Sequence, residues 1–229
     1  MGQKIRPNSY RLGIVENWGS RWFPKRSFKE ALQEDELIRK VIMKTIGTAG
    51  ISKIEIERTA GTCRVYIKAA KPGLIIGRGG QGIENLSKVI DVALEKMRRK
   101  EKVTAKKIAL SLNVEELKRN EVSAANIAQN MASDLERRMP FRRAMKKIIE
   151  TTMQNREVKG IKIRLSGRLD GAEIARREWL AKGSLPLQTL RAYIDYAEAT
   201  AFTTYGTVGV KVWVYKGDVF EKEKKETRQ

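Results

Sequence analysis

The sequence predicts an α+β protein built from two units, and three observations lead to that prediction. Alternating apolar and polar residues mark short strands, apolar residues at spacings of three and four mark helices, and both patterns recur on either side of a polar stretch. With 229 residues, 41% of them hydrophobic, the chain can bury two small cores. We expect a basic arm at 1–27, a first unit at 28–113, a linker at 114–120, a second unit at 121–217 and a charged tail at 218–229.

The arm combines cations with aromatic residues. Basic groups can meet phosphates and aromatic faces can stack on bases, but the same aromatic residues could equally dock the arm onto the core. Both interpretations stay open for this group: Arg6, Arg11, Arg21, Lys25 and Arg26 with Tyr10, Trp18, Trp22 and Phe23.

The first unit begins with a predicted helix that carries apolar residues from Ile38 to Ile46, with Asp35 as N-cap and Gly47 as stop. Alternating segments at 53–57 and 63–68 follow, and the turn at 59–61 joins them into a hairpin. Cys63 falls on the buried face of that hairpin, which favours a core residue over a nucleophile. A glycine-rich stretch, a helix at 83–97 and a strand at 107–112 complete the unit.

The second unit is predicted as two helices packed on a four-stranded, mostly antiparallel sheet. The first helix has apolar residues from Ala124 to Leu135, and Pro140 stands where the first residue of the second helix is expected. Strands are expected around 161–165, 173–181, 190–202 and 208–214.

The charge of the chain predicts a nucleic-acid partner. There are 47 Lys and Arg residues against 27 Asp and Glu, which gives a net charge of +20 with no histidine. Such an excess repels itself unless a polyanion lies nearby. No apolar run approaches the ~18 residues of a membrane span, and no secretory or myristoylation signal is recognised. The single cysteine, Cys63, suits a reducing compartment, so we expect a cytoplasmic protein.

The glycine-rich stretch around Gly77 can be interpreted in three ways. The spacing Gly77-x-Gly79-x-x-Gly82 resembles a dinucleotide fingerprint, but no buried strand precedes Gly77 and no acidic residue ends the next strand at the right distance. A P-loop would need Lys and then Ser or Thr after Gly82, where Ile83 and Glu84 stand.

A third interpretation, the KH loop, agrees with the surrounding elements. It requires a short apolar turn, the spacing Gly77-x-x-Gly80 and an amphipathic helix, within the order strand, strand, loop, helix, strand. Glycines let a nucleic-acid backbone approach closely, and the helix N-terminus attracts phosphate. We therefore predict RNA binding by the loop residues Gly77, Arg78, Gly79 and Gly80.

A second basic surface is predicted on the helix after Pro140. Apolar residues fall on one side of this helix, and cations without an interspersed acid cover the other. Solvated helix faces normally mix charges, so the pattern favours phosphate contacts that follow a strand without reading its sequence. The cations are Arg137, Arg138, Arg142, Arg143, Lys146 and Lys147.

The sequence contains no pattern that indicates catalysis. Histidine is absent, no cysteine pair or metal-ligand cluster is recognised, and Asp170 and Glu173 flank Gly171 in a way typical of a turn. We expect no catalytic residue, metal, cofactor or small-molecule substrate.

Several longer motifs resemble one known family. They are 2–4, Pro7 and 11–13 at the start, the loop from Pro72 to Gly80, the stretches 135–138, 141–146, 166–168 and 171–176, and the pair 203–206 and 209–213. On these motifs the chain resembles, nearly end to end, the universal KH-domain ribosomal proteins of the small subunit, known in bacteria as small-subunit protein three. One departure is that Gly79 stands where the family commonly has a second basic residue, and Gly82 opens the following helix, so we expect a more flexible loop.

The resemblance implies a type II KH domain, an α+β domain anchored in 16S-type rRNA, and a place in the head of the small subunit. It implies neighbours among small-subunit proteins two, ten and fourteen, with four and five across the channel through which mRNA enters. There the residues matching Arg142, Arg143 and Lys146 are held to help unwind mRNA. The rRNA contacts that we expect are Lys4, Arg6, Arg11, Arg168, Arg176 and Lys211.

Two other classes of protein remain as alternatives. A free-standing KH regulator or RNA chaperone would bind RNA without associating with ribosomal subunits. A nucleotide-dependent enzyme would show saturable binding of NAD or ATP at the glycine loop.

Overall fold

The computed structural model describes residues 4–23, 28–59, 61–101, 109–117 and 122–220. The chain forms two compact units, one of residues 18–118 and the other of residues 1–17 with 119–229. Each unit contains a four-stranded sheet with helices, which confirms the predicted α+β class. No helix within the described ranges is long and apolar enough to cross a membrane.

The elements are numbered in chain order. The helices are α1 (Pro7–Tyr10), α2 (Phe28–Ile46), α3 (Pro72–Ile76), α4 (Gln81–Glu101), α5 (Ala124–Glu136) and α6 (Phe141–Met153). The strands are β1 (Ser20–Arg21), β2 (Ile51–Arg58), β3 (Thr62–Ala69), β4 (Ala109–Glu116), β5 (Gly160–Gly167), β6 (Arg176–Gly183), β7 (Ala192–Thr203) and β8 (Gly206–Asp218).

The first unit has the sheet order β1-β2-β3-β4. The predicted hairpin is confirmed: β2 and β3 are antiparallel, with Ile56 opposite Val65 and Arg58 opposite Cys63. Strand β4 runs parallel to β3, and the helices α2, α3 and α4 contribute to one core. That core includes the fully buried Ile42 and Ile90. The order helix, two strands, loop, helix and strand agrees with the KH interpretation.

The predicted N-cap at Asp35 is wrong. Helix α2 begins at Phe28, and Asp35 lies in its interior with 3% of its surface exposed. The Asp35 carboxylate accepts hydrogen bonds from Trp22 at 2.7 Å and from Arg58 at 2.8 and 2.5 Å. Arg58 also binds Glu34 at 2.6 Å, and Arg98 binds Glu34 at 2.8 Å. Asp35 therefore belongs to a buried ionic network that ties α2 to β2 and α4.

The arm expected at 1–27 is divided between the units. Residues 4–17 belong to the unit that contains α5 and α6, whereas Trp18 and the residues up to Phe23 belong to the other. In the unit of residues 18–118, β1 pairs with β2, and Trp22 docks on α2 through Asp35. For Trp22, this agrees with the interpretation that the aromatic residues dock the arm onto the core. Trp18 and Phe23 are 67% and 93% exposed. Residues 24–27, with Lys25 and Arg26, lie outside the described residues.

The first three residues of the segment expected as a linker, 114–120, belong to a strand. Strand β4 continues to Glu116, because residues up to Glu116 still pair with β3. Residues 102–108 and 118–121, which include the predicted strand start at 107–108, lie outside the described residues. Most of the expected tail, from 221 onward, also lies outside them, and Asp218 is the last residue of β8.

The second unit has the antiparallel sheet order β6-β5-β8-β7, as the predicted two-helix, four-strand arrangement requires. Helices α5 and α6 pack on one face, over Ile163, Leu165 and Val212. The backbone N–H of Ala124 donates to the carboxylate of Asp195 at 2.8 Å, which joins the start of α5 to β7.

Pro140 precedes α6 instead of beginning it. Its φ of −56° and ψ of 123° are extended, and its carbonyl accepts the first helical hydrogen bond, from Ala144. The predicted first residue of α6 is therefore displaced by one position, and Phe141 opens the helix.

Candidate nucleic-acid interface

The predicted KH loop forms a tight turn between α3 and α4. Gly77, Gly79 and Gly80 have φ values of 68°, 61° and 81°, which L side chains rarely adopt. The N–H of Gly77 donates to the carbonyl of Gly73 at 3.0 Å and ends α3. A Cβ on Gly79 or Gly80 would meet nothing within 4 Å, so the outer side of the loop is open to a ligand.

Gly82 is confined by packing, which contradicts the expectation that it makes the loop more flexible. A Cβ on Gly82 would lie 2.3 Å from the carbonyl oxygen of Ile75 and 2.9 Å from that of Ile76. A Cβ on Gly77 would lie 3.1 Å from the backbone nitrogen of Gly82. The last turn of α3 therefore lies directly against the first turn of α4, and glycine at position 82 permits that approach.

The surface of the loop combines charge, backbone amides and apolar groups. Arg78 is exposed, and the positive dipole end of α4 lies next to the loop. Leu74 is 63% exposed beside it, whereas Ile75 is buried and anchors α3 in the core. A phosphate at the helix N-terminus with an apolar surface alongside suits a nucleic-acid strand.

The second predicted surface lies on α6 and is an exposed cationic face above an apolar anchor. Phe141, Ala144, Met145 and Ile149 are buried against the sheet. The opposite side exposes Arg142, Arg143, Lys146 and Lys147. Since one face of α6 is fixed in the core, the cations on the other are held at fixed spacing along a rigid helix.

One of these cations is paired. The guanidinium of Arg142 donates to the carboxylate of Glu178 on β6, with Nη2 at 3.2 Å from Oε1 and Nε at 3.3 Å from Oε2. These hydrogen bonds raise the pKa of Arg142. Within the part of the chain that the structure describes, no carboxylate lies within ion-pair distance of Arg143, Lys146 or Lys147. The sequence of α6 shows only cations on this face, but the structure brings an acid to it, Glu178 from the neighbouring strand β6.

Arg137 and Arg138 lie in the turn between α5 and α6, not on the helix face. Both are exposed, and Arg138 has a φ of 61°. The preceding Glu136 accepts a hydrogen bond from the backbone N–H of Phe202 at 3.0 Å, which fixes the end of α5 against β7.

Arg11, expected to bind rRNA, is buried, and that expectation is corrected. Only 1% of its surface is exposed. Its guanidinium donates to four carbonyl oxygens, those of Pro7, Pro186, Leu187 and Thr189, at 3.2, 3.3, 2.8 and 2.9 Å. Burial lowers the pKa of Arg11 despite opposing contributions from Tyr10 and Glu16. Arg11 holds the N-terminal segment to the loop before β7 and has no surface for a phosphate.

The other expected rRNA contacts lie at the surface. Lys4 is exposed, and Arg6 pairs with Glu198 at 3.1 Å. Lys211 pairs with the same carboxylate at 3.1 Å. Arg168 donates to the carbonyls of Ala172 and Tyr205 at 2.9 and 3.3 Å, so it also braces the loop after β5. The fifth residue, Arg176, is exposed at the start of β6.

A set of cations that the predictions passed over lies on the sheet of the second unit, on the face away from α5 and α6. In β5, Ile161, Ile163 and Leu165 are buried, so Lys162 and Arg164 point to the other side. The apolar–cationic alternation of β5 is the signal that could have located them.

No group of three or more His, Cys, Asp or Glu side chains among the described residues is arranged to hold a metal ion. Cys63 is buried, and burial raises the pKa of its thiol, which makes it a poor nucleophile.

Comparisons with known proteins agree with both units. Residues 37–122 match the KH domain model, and residues 131–214 match the model described as ribosomal protein S3, C-terminal domain. The chain is 47% identical over 224 residues to the small ribosomal subunit protein uS3 of Desulfitobacterium hafniense, covering 98% of this chain and 96% of the relative. The uS3 proteins of Desulforamulus reducens and Nitratiruptor sp. are 49% and 51% identical, with 98% and 97% of this chain covered and 96% and 92% of the relatives.

Proposed function

The chain belongs to the uS3 family of small ribosomal subunit proteins, and from that premise we propose that it binds rRNA and mRNA through separate surfaces of its two units. Membership of this family makes it a structural, RNA-binding protein of the cytoplasmic small ribosomal subunit and not an enzyme. The family assignment confirms the resemblance seen in the sequence.

The observation that supports mRNA binding best is the geometry of α6. Its buried side fixes the helix, and its exposed side presents Arg143, Lys146 and Lys147 without an acid at ion-pair distance among the described residues. Cations at fixed spacing bind phosphates irrespective of base sequence. Such binding suits an mRNA strand, because the sequence at the site changes as the strand moves through. Stabilising the separated strand in this way assists unwinding without a nucleotide-hydrolysing site.

Arg142 has a conditional role in this proposal. Its bidentate pair with Glu178 must open, or share the guanidinium, before a phosphate can bind in full. The pair is exposed on the Arg142 side, with 70% of that side chain accessible, so exchange of the carboxylate for a phosphate costs little. Arg143 and Lys146 are free to bind first.

Anchoring in rRNA is assigned to the exposed cations Lys4, Arg6, Arg168, Arg176 and Lys211 and to the KH loop. The loop presents Arg78 and the positive end of α4 beside glycines that leave room for a backbone. The proposed protein neighbours are small-subunit proteins two, ten and fourteen, with four and five at the channel through which mRNA enters.

The mRNA proposal is tested with small subunits reconstituted with the triple variant Arg142→Ala, Arg143→Ala, Lys146→Ala. The matched control removes three exposed cations of α2, Lys29, Lys40 and Lys44. We expect the first variant to assemble normally and to translate structured mRNA more slowly, while unstructured mRNA and the control are unaffected. Binding of single-stranded RNA to the free chain should show a salt slope smaller by about 2, at ~0.7 for each phosphate that is no longer neutralised.

Two outcomes would contradict the proposal. Unchanged translation through structured mRNA would remove the role of α6. Failure of the native chain to co-sediment with small subunits would contradict ribosomal membership itself and favour a free-standing RNA-binding protein.

A further inference from the structure

The face of the second sheet away from α5 and α6 carries a row of polar and aromatic side chains that crosses three strands. Trp179 on β6 lies opposite Arg164 on β5, and Arg164 lies opposite Lys211 on β8. Directly opposite residues of neighbouring antiparallel strands are in side-chain contact range, so these groups form one continuous surface.

Lys162 connects two tryptophans on the same face. Its ammonium lies 4.6 Å from the ring centroid of Trp179 and 5.8 Å from that of Trp213, in the range of cation–π interaction. The rings of Trp213 and Tyr196 are 5.2 Å apart. The sheet thus presents aromatic rings at positions held by their neighbours.

Cations outnumber acids on this face, and no carboxylate among the described residues lies at ion-pair distance from Arg164 or Arg177. The cations of this face are Lys162, Arg164, Arg177 and Lys211. Near the middle of the face lies the acid Glu198, which accepts a hydrogen bond from Tyr196 and pairs with Arg6 and Lys211. At the covered end, Asp218 accepts a hydrogen bond from Tyr215 at 2.9 Å. The hydrogen bond from Tyr196 lowers the pKa of Glu198, so this carboxylate stays ionised and occupied.

Within the described ranges, the loop before β7 covers one end of the face. Ala192, Ile194 and Tyr215 are buried there beneath Leu185 and Leu187 of the loop that Arg11 holds. Beyond that cover, Trp179 remains 59% exposed. At this exposure the Trp179 ring is accessible to a partner that stacks on it.

We propose that this face binds a single-stranded segment of RNA, with phosphates on Arg164 and Arg177 and a base stacked on Trp179. The charge complements a polyanion, and aromatic rings on an open sheet are a platform for unstacked bases. The site lies on the opposite face of the sheet from α6, so it is distinct from the proposed mRNA surface. It rests on the proposed RNA-binding function and adds a location and a mode of recognition.

The experiment uses the full chain and a 12-nucleotide single-stranded RNA that contains 4-thiouridine, crosslinked by light and mapped by mass spectrometry. We expect crosslinks in the peptide 178–182, which contains Trp179. Trp179→Ala should reduce the crosslink yield there about tenfold at fixed RNA concentration, with an unchanged salt slope. Arg164→Gln with Arg177→Gln should reduce the slope measured at this peptide by about 1.4. The α2 control, Lys40→Gln with Lys44→Gln, should change neither.

The outcomes separate this inference from the proposed function. Crosslinks confined to α6, the KH loop or the N-terminal segment, with none at 178–182, would overturn the inference while leaving RNA binding intact. Chemical crosslinking of 178–182 to a ribosomal protein in assembled subunits, with RNA absent there, would also overturn it. Absence of all RNA crosslinks would contradict the proposed function as well. Circular dichroism of each variant establishes that the sheet is folded.

Discussion

Gly82→Ala is expected to destabilise the first unit, although alanine ordinarily favours a helix. The new Cβ would lie 2.3 Å from the carbonyl oxygen of Ile75, where carbon and carbonyl oxygen normally stay about 3.3 Å apart. The obstacle is backbone, so α3 would have to move from α4 by about 1 Å. Overpacking of this kind costs ~1–3 kcal/mol, and the helix preference of alanine returns up to ~1 kcal/mol. Because backbone cannot move aside as a side chain can, we take the upper end of the range, about 3 kcal/mol, which leaves a net loss of about 2 kcal/mol.

Two glycines of the same region provide matched controls. Gly73 has ordinary φ and open space, so Gly73→Ala should be neutral or slightly stabilising. Gly79 also has open space but a φ of 61°, so Gly79→Ala should cost about 1 kcal/mol through backbone strain alone. The expected order of stability is Gly73→Ala, then Gly79→Ala, then Gly82→Ala.

Thermal unfolding measures this order, with hydrogen exchange of the 74–90 peptide to assign the change to the first unit. A loss of about 2 kcal/mol in a unit of this size corresponds to a fall in Tm of roughly 10 °C. If Gly82→Ala and Gly73→Ala had the same Tm, α3 would not be packed against α4 as described. The loop would then have the flexibility that the sequence suggested.

Three further predictions follow from buried side chains. Arg58→Met should destabilise the first unit by about 3–5 kcal/mol in urea unfolding, because Glu34 and Asp35 lose the buried cation that they share. A loss below about 1 kcal/mol would mean that these two carboxylates do not depend on Arg58. Arg11→Met should lower the free energy of unfolding by about 3 kcal/mol, because buried carbonyls lose their hydrogen-bond donor, and should leave the RNA affinity of the folded chain unchanged. If Arg11 contacted RNA instead, the variant would lose RNA affinity and keep its stability. Iodoacetamide at about pH 8 should modify Cys63 at least ~100-fold more slowly in the native chain than in urea, because burial raises the thiol pKa and removes thiolate; equal rates would place Cys63 at the surface.

The strands and the KH order were predictable because they depend on local patterns. Alternation alone placed the β2–β3 hairpin, and the register confirms Cys63 on its buried side. Asp35 was misassigned because a carboxylate at that point resembles an N-cap locally. Its partner Arg58 comes from the end of β2, and no pattern within α2 indicates it. Errors of this kind arise wherever a charged residue is satisfied from a distant segment.

The basic residues of the candidate site show the same limit. Sequence identifies Arg11 and Arg143 equally as cations in a basic chain, but one is enclosed by carbonyls and the other is exposed. Likewise, the acid that engages Arg142 belongs to β6, and the tryptophans beside Lys162 belong to β6 and β8. Which cations are free therefore depends on strand order, which the one-dimensional pattern does not contain.

Strand order also explains how one small sheet accommodates the two RNA surfaces that we propose. Edge strand β6 contributes Glu178 to the helix side and Trp179 to the open side, because successive side chains of a strand point to opposite faces. Glu178 moderates the charge of α6 at Arg142, whereas Trp179 supplies an aromatic ring among cations. A surface that must let mRNA pass benefits from a paired, exchangeable cation. A surface that anchors RNA benefits from stacking, which is lost only when the base leaves.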